Sequence, residues 1–223
     1  MMNPQIANIS TERDDLYANV LMGLHAVSQP LTMLRASFWS EGLQAMTDAE
    51  LREFVQCSAF EVERACALFD LTRELVNTEC LQVNVSLCDL IAILRELSER
   101  AIPEYERDGI SLRVLLPSGA PPIICDRVRT YKACATALAL TRRVSRAGDT
   151  VLLSATASND HMEIVLKNAA LGPVALDAEA QLALALTKLV LKKQAASLTC
   201  ESDPFCVSLK FKQVQTGNGS PRG

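Results

Sequence analysis

Aromatic side chains are scarce in this chain of 223 residues, at 4%, although apolar residues as a whole reach 49%. Its core must therefore be aliphatic, and the abundance of alanine and leucine favours packed helices. The sequence contains no run of about 18 apolar residues, so it predicts no membrane-spanning helix. It also lacks a basic segment with an apolar core near its start. We therefore predict no signal peptide and expect a cytoplasmic protein of one large or two small domains.

The sequence also lacks an excess of positive charge, and its cysteine and histidine residues lack the spacing that is typical of a metal site. A net charge of −4 gives no electrostatic reason to bind nucleic acid. The eight cysteines form no C-x-x-C pair, and His25 and His161 are the only histidines, which argues against a zinc cluster. Most cysteines lie within apolar stretches, where a reduced thiol behaves as a small hydrophobe, as is typical of a reducing compartment.

The first long helical pattern predicts a helix over about Glu12–Trp39. Its apolar residues recur with the 4-3-4-3-4 spacing of a bundle helix: Val20, Leu24, Val27, Leu31, Leu34 and Phe38. His25 lies one residue from this stripe, so we expect its ring at the edge of the buried surface and within reach of solvent. Pro30 removes the backbone donor to the carbonyl of Ala26, which predicts a bend about one turn after the histidine.

A second helical pattern follows after a short break. Thr47 and Glu50 have the spacing of a capping box, and apolar residues again recur at bundle spacing from Leu51 to Val76. Two helices of this length cannot bury both apolar stripes against each other alone. We therefore predict a homodimer in which two such hairpins, at residues 12–80, form a four-helix bundle.

Residues 81–213 alternate between helical and strand patterns, and we expect residues 214–223 to be a disordered tail. Helices are predicted at Ser86–Arg107, Asp126–Ser145 and Asp177–Gln194, and strands at Ile110–Leu116, Ile123–Cys125, Thr150–Ala157, Met162–Leu166, Ser197–Glu201 and Cys206–Phe211. This order predicts an α+β fold for the whole chain. In the second domain we expect a sandwich with its helices on one face of a mixed sheet.

His25, Pro30 and Leu31 form the pattern H-x-x-x-x-P-L, which resembles the H-box of two-component histidine kinases. The order of elements after the hairpin resembles the ATP-binding (GHKL) domain of the same family, so the resemblance extends over about residues 12–212. It implies a dimeric helical hairpin whose histidine carries a phosphoryl group. It also implies that the hairpin is followed by a domain built to bind ATP.

Two residues that hold magnesium in that family are replaced here. Asp126 and Arg129 resemble the start of the family's asparagine-bearing helix, and in this alignment the two asparagines correspond to Thr136 and Leu140. Neither residue supplies the amide oxygen that asparagine offers to a cation or a phosphate-bound metal.

The family's D-x-G-x-G turn, which reads adenine, corresponds to residues 168–172. Asn168 replaces the aspartate with an amide that can still meet an adenine edge, Ala170 replaces the first glycine, and only Gly172 remains. Few residues are left for an ATP lid, and 177–183, the opening of the last helix, contain no glycine to admit phosphates. The resemblance thus implies a degenerate ATP-binding fold with no cofactor, apart from Mg²⁺ held by a partner receiver domain.

The replacement next to the histidine bears on the reaction. Kinases of this family usually carry an acid directly after the histidine as a general base, and this residue is Ala26. The chain resembles the dimeric histidine phosphotransferases of the Caulobacter cell-cycle phosphorelay type. That resemblance implies that His25 accepts a phosphoryl group from the receiver-domain aspartate of one response regulator and donates it to another.

Other functions stay open. Gln29, one turn after His25, either orients water or the phosphoryl group or is a surface glutamine without a function. The chain is alternatively a non-enzymatic pseudokinase scaffold that docks and regulates a response regulator or a kinase. A true kinase with an unusual nucleotide site is the third hypothesis. His161, in a predicted turn, is expected to be a plain surface residue.

Overall fold

The protein is described by a computed structural model that covers residues 4–38, 46–78, 82–158 and 160–213. Its elements are α1 (Pro4–Phe38), α2 (Asp48–Asn77), β1 (Ser86–Cys88), α3 (Leu90–Arg107), β2 (Ser111–Leu115), β3 (Ile123–Cys125), α4 (Arg127–Val144), β4 (Thr150–Ala157), β5 (His161–Asn168), α5 (Ala178–Lys192), β6 (Ala196–Ser202) and β7 (Phe205–Lys212). The predicted α+β class, with helices and a mixed sheet, is confirmed. Within these residues, no helix is both long and apolar enough to cross a lipid bilayer.

The chain divides into two compact units. The first combines Met1–Leu81 with Leu176–Leu186, and the second combines Gln82–Ala175 with Thr187–Gly223. The boundary therefore falls within α5, and each unit is considered by itself.

In the first unit, α1 and α2 pack as a hairpin through small side chains. Gly23 and Ala26 are buried on one side of α1. The buried residues of α2 recur with helical spacing at Ala65, Leu68, Thr72 and Leu75. A Cβ atom on Gly23 would lie only 2.3 Å from Oγ1 of Thr72, so the two helices approach closely at this point. Towards the turn of the hairpin, the rings of Phe38 and Phe54 meet edge to face with centroids 5.1 Å apart.

The bounds of α1 differ from the prediction. The helix begins at Pro4 rather than at Glu12, and it is continuous through Pro30 to Phe38. Trp39, the predicted last residue, lies outside the described residues. A proline removes one hydrogen bond, but the turns on both sides of it are long enough to keep the helix together.

α2 covers the predicted apolar stripe of α1 only in part. Leu24 and Leu31 are 53% and 51% exposed, and Phe38 is 56% exposed although its ring meets Phe54, whereas Gly23 and Ala26 are buried. The physical reason is that small residues allow a closer helix contact than leucine does, so α1 has two parallel stripes. The small one faces α2, and the large one is left on a neighbouring face of the hairpin.

In the second unit, five strands form a sheet in the order β2-β4-β5-β7-β6. β2 pairs parallel with β4, and the other pairs are antiparallel. One face of the sheet is buried and apolar, with Leu153, Leu166 and Val207 side by side in register. α3 and α4 pack on the sheet. The opposite face is polar, and Glu163 and Lys210 form an ion pair there at 3.4 Å.

Residues 86–88, which the sequence assigned to the third helix, instead form β1. This strand pairs antiparallel with β3, with Leu87 opposite Ile124. α3 begins only at Leu90, and the carboxylate of Asp89 caps it by accepting from the backbone N–H of Ala92 at 3.0 Å. The prediction was wrong because the partner strand is distant in sequence, and a local pattern does not reveal such a pairing.

The cysteines in the described residues are free thiols, and three of them lie in the core as expected of small hydrophobes. Burial raises the pKa of Cys125 to about 11 and that of Cys134 to about 12, so both stay protonated at neutral pH. Cys88 is buried beside Cys125. Cys57 and Cys66 depart from the expectation because they are exposed on α2.

Candidate functional site

His25 and Gln29 lie one turn apart on an exposed face of α1. With about 3.6 residues per turn, this face differs from the small stripe of Gly23 and Ala26 and also from the large stripe of Leu24. The prediction that the imidazole is reachable from solvent is therefore in accord with the structure. The side chain of His25 is thus open to solvent on a face that carries neither stripe.

Side-chain hydroxyls bond the backbone around the histidine. Oγ of Ser28 donates to the carbonyl of His25 at 2.7 Å, and Oγ1 of Thr32 donates to the carbonyl of Ser28 at 2.7 Å. Pro30 lies between them and has no N–H for the carbonyl of Ala26. Hydroxyls that bond backward to the helix in this way often bend it slightly, and here they engage the carbonyls of His25 and Ser28 on either side of the missing bond.

The position after the histidine is unsuited to a carboxylate that would act as a general base. Ala26 is only 3% exposed on the packed side of α1. A carboxylate at this position would be removed from water without a fixed partner, which costs several kcal/mol by an order-of-magnitude estimate. The replacement noted in the sequence thus fits the packing of the hairpin.

Gly23 and Thr72, which the sequence pattern did not single out, set the geometry of the hairpin. The contact lies two residues before His25, and Thr72 is held in its rotamer because its Oγ1 donates to the carbonyl of Leu68 at 2.7 Å. The signal available in the sequence was the recurrence of Gly23, Ala26 and Pro30 beside the larger apolar stripe.

The positions that correspond to magnesium-binding asparagines offer little to a cation. Both lie on α4, where Thr136 is half-buried and Leu140 is 5% exposed. Leu140 packs as an apolar core residue and has no oxygen to donate. Among the described residues, no group of three or more histidine, cysteine, aspartate or glutamate side chains is placed to hold a metal ion.

Asn168, at the position of the adenine-reading aspartate, is fully buried and fully hydrogen-bonded. Its Nδ2 donates to Oγ of Ser145 at 2.8 Å and to Oδ2 of Asp149 at 2.9 Å, and its Oδ1 accepts from the backbone N–H of Ala170 at 3.0 Å. Both amide hydrogens are therefore occupied within the fold. The expectation that this amide can still meet an adenine edge stays a prediction: Oδ1 accepts one hydrogen bond and has a second lone pair, but the side chain is fully buried in the chain.

Asp149 completes this network from the other side. The backbone N–H of Arg146 and the amide of Asn168 both donate to its carboxylate, and they hold the pKa of Asp149 below its usual range. A negative charge is thus fixed next to Asn168. It disfavours any phosphate or carboxylate at this position.

The connection from β5 to α5 has nine residues, 169–177, and it is tied down at two points. The backbone N–H of Val174 donates to the carbonyl of Ser202 at 3.2 Å. Oδ1 of Asp177 accepts from the backbone N–H of Ala180 at 2.9 Å and so caps the start of α5 with a negative charge. A helix end that already holds a carboxylate is a poor site for phosphates. The start of α5 and Asn168 thus both carry side chains that are bonded within the fold.

His161 lies in the β4–β5 hairpin beside a serine and an aspartate, the residue types of a hydrolytic triad. Ser158 Oγ lies 2.8 Å from Nδ1 and 3.4 Å from Nε2 of the ring, and Asp160 Oδ1 lies 2.6 Å from Nδ1. Ser158 Oγ also bonds Asp160 Oδ1 and the carbonyl of His161, at 3.3 and 3.1 Å, so these neighbouring residues form a hydrogen-bonded turn in which the serine and the aspartate share Nδ1 instead of taking opposite sides of the ring as in a triad. The hydrogen bond from the ring holds the pKa of Asp160 below its usual range.

Comparison with known proteins gives a fold likeness without close sequence relatives. No protein-family model matches the chain, and no curated protein sequence matches it significantly. The solved structure of the Acinetobacter baumannii histidine kinase AdeS matches with a TM-score of 0.62 and 17% identity, over 86% of this chain and 98% of that one.

Two further structures align across much of the chain. Histidine kinase ThkA in complex with the response regulator protein TrrA gives a TM-score of 0.67 at 9% identity, over 86% of this chain and 60% of that one. Full-length ShkA in complex with AMPPNP gives a TM-score of 0.56 at 17% identity, over 96% of this chain and 47% of that one. At such low identity these likenesses concern the fold alone: the chain has a histidine-kinase-like fold.

Proposed function

We propose that the chain is a histidine phosphotransferase that moves a phosphoryl group between receiver domains of a two-component phosphorelay, without binding ATP. The observation that carries this proposal is the combination of an exposed His25 on α1 with a nucleotide region whose key positions are buried and hydrogen-bonded internally. The nucleophile is accessible, and the residues that would hold its usual phosphoryl donor are not.

The transfer step requires only one reacting group from this chain, the imidazole of His25. The unprotonated ring nitrogen of His25 attacks the phosphorus of a receiver's aspartyl phosphate, the phosphorus–nitrogen bond forms, and the aspartate leaves as a carboxylate. The attacking atom carries no proton, so the step requires no general base, in agreement with the buried Ala26. Mg²⁺ belongs to the receiver, where it neutralises charge on the transferred group. The reverse sequence returns the phosphoryl group to a second receiver.

Gln29 is a candidate for positioning the reacting groups. It is exposed one turn after His25, so its amide can reach the oxygens of a phosphoryl group or an attacking water beside the imidazole. We propose that it orients the phosphoryl group during transfer, and that loss of the amide slows transfer without abolishing it.

The proposed reaction takes place on a homodimer. The outer stripe of α1 leaves Leu24, Leu31 and Phe38 exposed, and α2 leaves Phe69 and Val76 exposed in the single chain. Continuous apolar stripes at heptad-like spacing are typical of helices that pack in a bundle, and a second hairpin would cover them. His25 lies outside this stripe and would stay accessible in such a bundle.

Receiver domains are the proposed partners, and the cytoplasm is the proposed location. The fold likeness to ThkA, whose structure was solved with a response regulator protein, supports this choice of partner. The fold is compatible with docking of a receiver on the hairpin, since His25 stands on its exposed face.

The test is transfer of labelled phosphoryl group from a phosphorylated receiver domain to the purified chain. We expect an acid-labile label on the wild type and none on His25→Gln, which keeps polarity and roughly the size but has no nucleophile. His161→Gln is the matched control and should accept label as the wild type does. A wild type that binds a receiver tightly but never accepts label would favour the non-enzymatic scaffold.

A further inference from the structure

Five side chains on the polar face of the five-stranded sheet form one continuous surface. The register places Arg113, Leu152 and Lys167 side by side on the neighbouring strands β2, β4 and β5. Leu115 and Val165 lie in the next row on the same face, two residues further along β2 and β5. These five residues are called the sheet patch.

The sheet patch is open in the single chain. Arg113 and Lys167 are exposed, and Leu115 is 62% exposed, more than any other large hydrophobic side chain in the described strands of this sheet. Leu152 and Val165 are only half-buried, although β4 and β5 are interior strands with a neighbour on each side. The centre of the patch is therefore apolar and in contact with water, and it has a cation at either end.

Neither cation has a counter-charge within the part of the chain that the structure describes. Arg113 and Lys167 form no ion pair there. The strands of this face carry two carboxylates. Glu163 is already paired with Lys210 at 3.4 Å, and Glu201 lies on β6, two strands from Lys167 and four from Arg113. The patch thus presents two uncompensated positive charges.

The charge of the chain is unevenly distributed along the sequence. Residues 1–81 contain 5 basic and 12 acidic side chains, whereas residues 82–223 contain 17 basic and 14 acidic ones. The net charge of −4 therefore combines −7 in the first part with +3 in the second, which contains the sheet patch. Charge complementarity favours an acidic partner for this region.

The spacing of the two cations suits a helix better than a strand. Arg113 and Lys167 lie two strands apart, so about 10 Å separates their Cα atoms. Two turns of an α-helix span about 11 Å, so carboxylates seven residues apart on one helix face can meet both cations. A strand added to the open edge of β2 would lie about 15 Å from β5 and could reach Arg113 only.

We propose that the sheet patch docks an acidic amphipathic helix of another protein. The apolar stripe of this helix covers the three apolar side chains of the patch, and carboxylates two turns apart pair with its two cations. Docking removes the apolar side chains from water and supplies the missing counter-charges together. This interaction goes beyond phosphotransfer at His25, and it does not depend on it.

The composition of the patch argues against other occupants. Bases stack on aromatic side chains, and the patch has none, so it does not suit a single-stranded nucleic acid. The same absence leaves no anchor for a lipid interface. A second copy docked through the same face would bring four cations together without a counter-charge, and like charges repel.

The test is fluorescence anisotropy with a labelled helical peptide of about 18 residues. Its leucines follow the i, i+3, i+7 spacing of one helix face, and glutamates seven residues apart flank them. The full chain should bind this peptide with an affinity that falls as salt rises. A peptide with lysines in place of the glutamates should not bind, and neither should one of the same composition in scrambled order.

Variants locate the binding site on the sheet. Arg113→Glu and, separately, Lys167→Glu should each weaken binding at least about tenfold. Lys212→Glu is the matched control and should bind as the wild type does, because it makes the same change of charge on the same face about 20 Å along the strands. Leu115→Thr should weaken binding, whereas Leu87→Thr, at a 67% exposed position on β1, should not. Circular dichroism should show an unchanged fold, because each altered side chain is exposed.

The remaining outcomes separate this proposal from its alternatives. His25→Gln should bind the peptide normally, because the patch acts independently of phosphotransfer. The proposal is overturned if no peptide binds, if the lysine or scrambled peptide binds equally well, or if both charge variants bind like the wild type. It is also overturned if Arg113→Glu alone weakens binding, which indicates a strand at the edge of β2. A changed sedimentation coefficient of either charge variant would assign the patch to a second copy of the chain and overturn it too.

Discussion

Asn168 links the end of β5 to the turn after α4 through two hydrogen bonds, and a third holds the connection that follows β5. Its partners are Oγ of Ser145, which itself donates to the carbonyl of Thr141 at 2.7 Å, the carboxylate of Asp149, and the N–H of Ala170. These hydrogen bonds give Asn168 a structural role in the fold. A buried amide with both its hydrogens engaged has no donor left for a ligand.

Introducing an aspartate at this position should therefore destabilise the fold. In Asn168→Asp, the two donors disappear and a second carboxylate faces Asp149 at hydrogen-bond distance. We expect the free energy of unfolding to fall by about 2–4 kcal/mol in urea titrations at neutral pH. The loss should shrink as the pH falls, because a shared proton relieves the repulsion.

The double variant Asn168→Asp with Asp149→Asn is the control for this prediction. It exchanges the amide and the carboxylate, which keeps a donor–acceptor pair between the two positions, and it should recover a large share of the lost stability. A stable Asn168→Asp single variant that acquires ATP binding would contradict the structural role of Asn168.

Asp126 gives a second test at the scale of the residue. Burial raises the pKa of its carboxyl, but the backbone N–H groups of Arg129 and Asn84 and the Arg129 guanidinium outweigh burial and hold it below its usual range. A carboxyl whose pKa is lowered by folding stabilises the fold above its unfolded pKa, and this stabilisation is lost as the pH falls through the folded pKa.

Asp126→Asn keeps an N-cap but removes the charge, so it should cost about 1 kcal/mol at pH 7. The difference from the wild type should vanish in acid, below the folded pKa, when both proteins are compared by urea unfolding. Asp89→Asn, which alters the exposed cap of α3, is the matched control and should cost less. A cost for Asp126→Asn that stays constant from neutral pH to acid would contradict the assignment.

At the scale of the element, the contact between α1 and α2 depends on the missing side chain of Gly23. Glycine to alanine within a helix normally stabilises by about 1 kcal/mol. Here the new Cβ would lie 2.3 Å from Oγ1 of Thr72, a stiff side chain that is itself hydrogen-bonded. We expect Gly23→Ala to destabilise the hairpin by about 1–3 kcal/mol, measured by urea unfolding.

The double variant Gly23→Ala with Thr72→Ala removes the colliding atoms and should be more stable than Gly23→Ala alone. Such a coupling between the two positions isolates the contact from the effect of helix propensity. An increase in stability for the single variant would mean that the helices do not cross closely at this point.

Local signals predicted some elements and missed others for identifiable reasons. The capping box of Thr47 and Glu50 is present at the start of α2, because its hydrogen bonds are formed between residues three apart. Most helices and strands of the second unit follow the predicted order for the same reason. The strand at 86–88 was missed because β3, its partner, lies far along the chain. The small stripe of α1 was overlooked because large apolar residues dominate the pattern.

At the scale of the whole molecule, the outer apolar stripe of the hairpin predicts self-association. Leu31 is 51% exposed in the single chain, so Leu31→Glu should leave the fold of the hairpin intact. It should dissociate the dimer, since an unpaired carboxylate buried in a bundle costs several kcal/mol by an order-of-magnitude estimate. Met33→Glu, at a 64% exposed position two residues on, is the matched control.

Sedimentation velocity at tens of micromolar checks this prediction. The wild type and Met33→Glu should sediment as dimers, and Leu31→Glu should sediment as a folded monomer. A monomeric wild type at that concentration would contradict the four-helix bundle.

The sequence could predict the fold class and the exposed position of His25, since both follow from periodicity. It could not predict the hydrogen bonds at the position that aligns with the kinase motif, since Asn168, Asp149 and Ser145 meet only through the tertiary fold. The sequence shows that an asparagine stands in place of the motif's aspartate, but it does not show which residues this side chain bonds.

The intact mass of the protein, measured after incubation with each phosphoryl donor, tests the central claim most directly. With a phosphorylated receiver domain, the account predicts a phosphoryl adduct on the wild type that acid removes and that His25→Gln lacks. With ATP and Mg²⁺ under the same conditions, it predicts no adduct. An adduct formed from ATP, or an adduct from the receiver that persists in His25→Gln, would contradict the account.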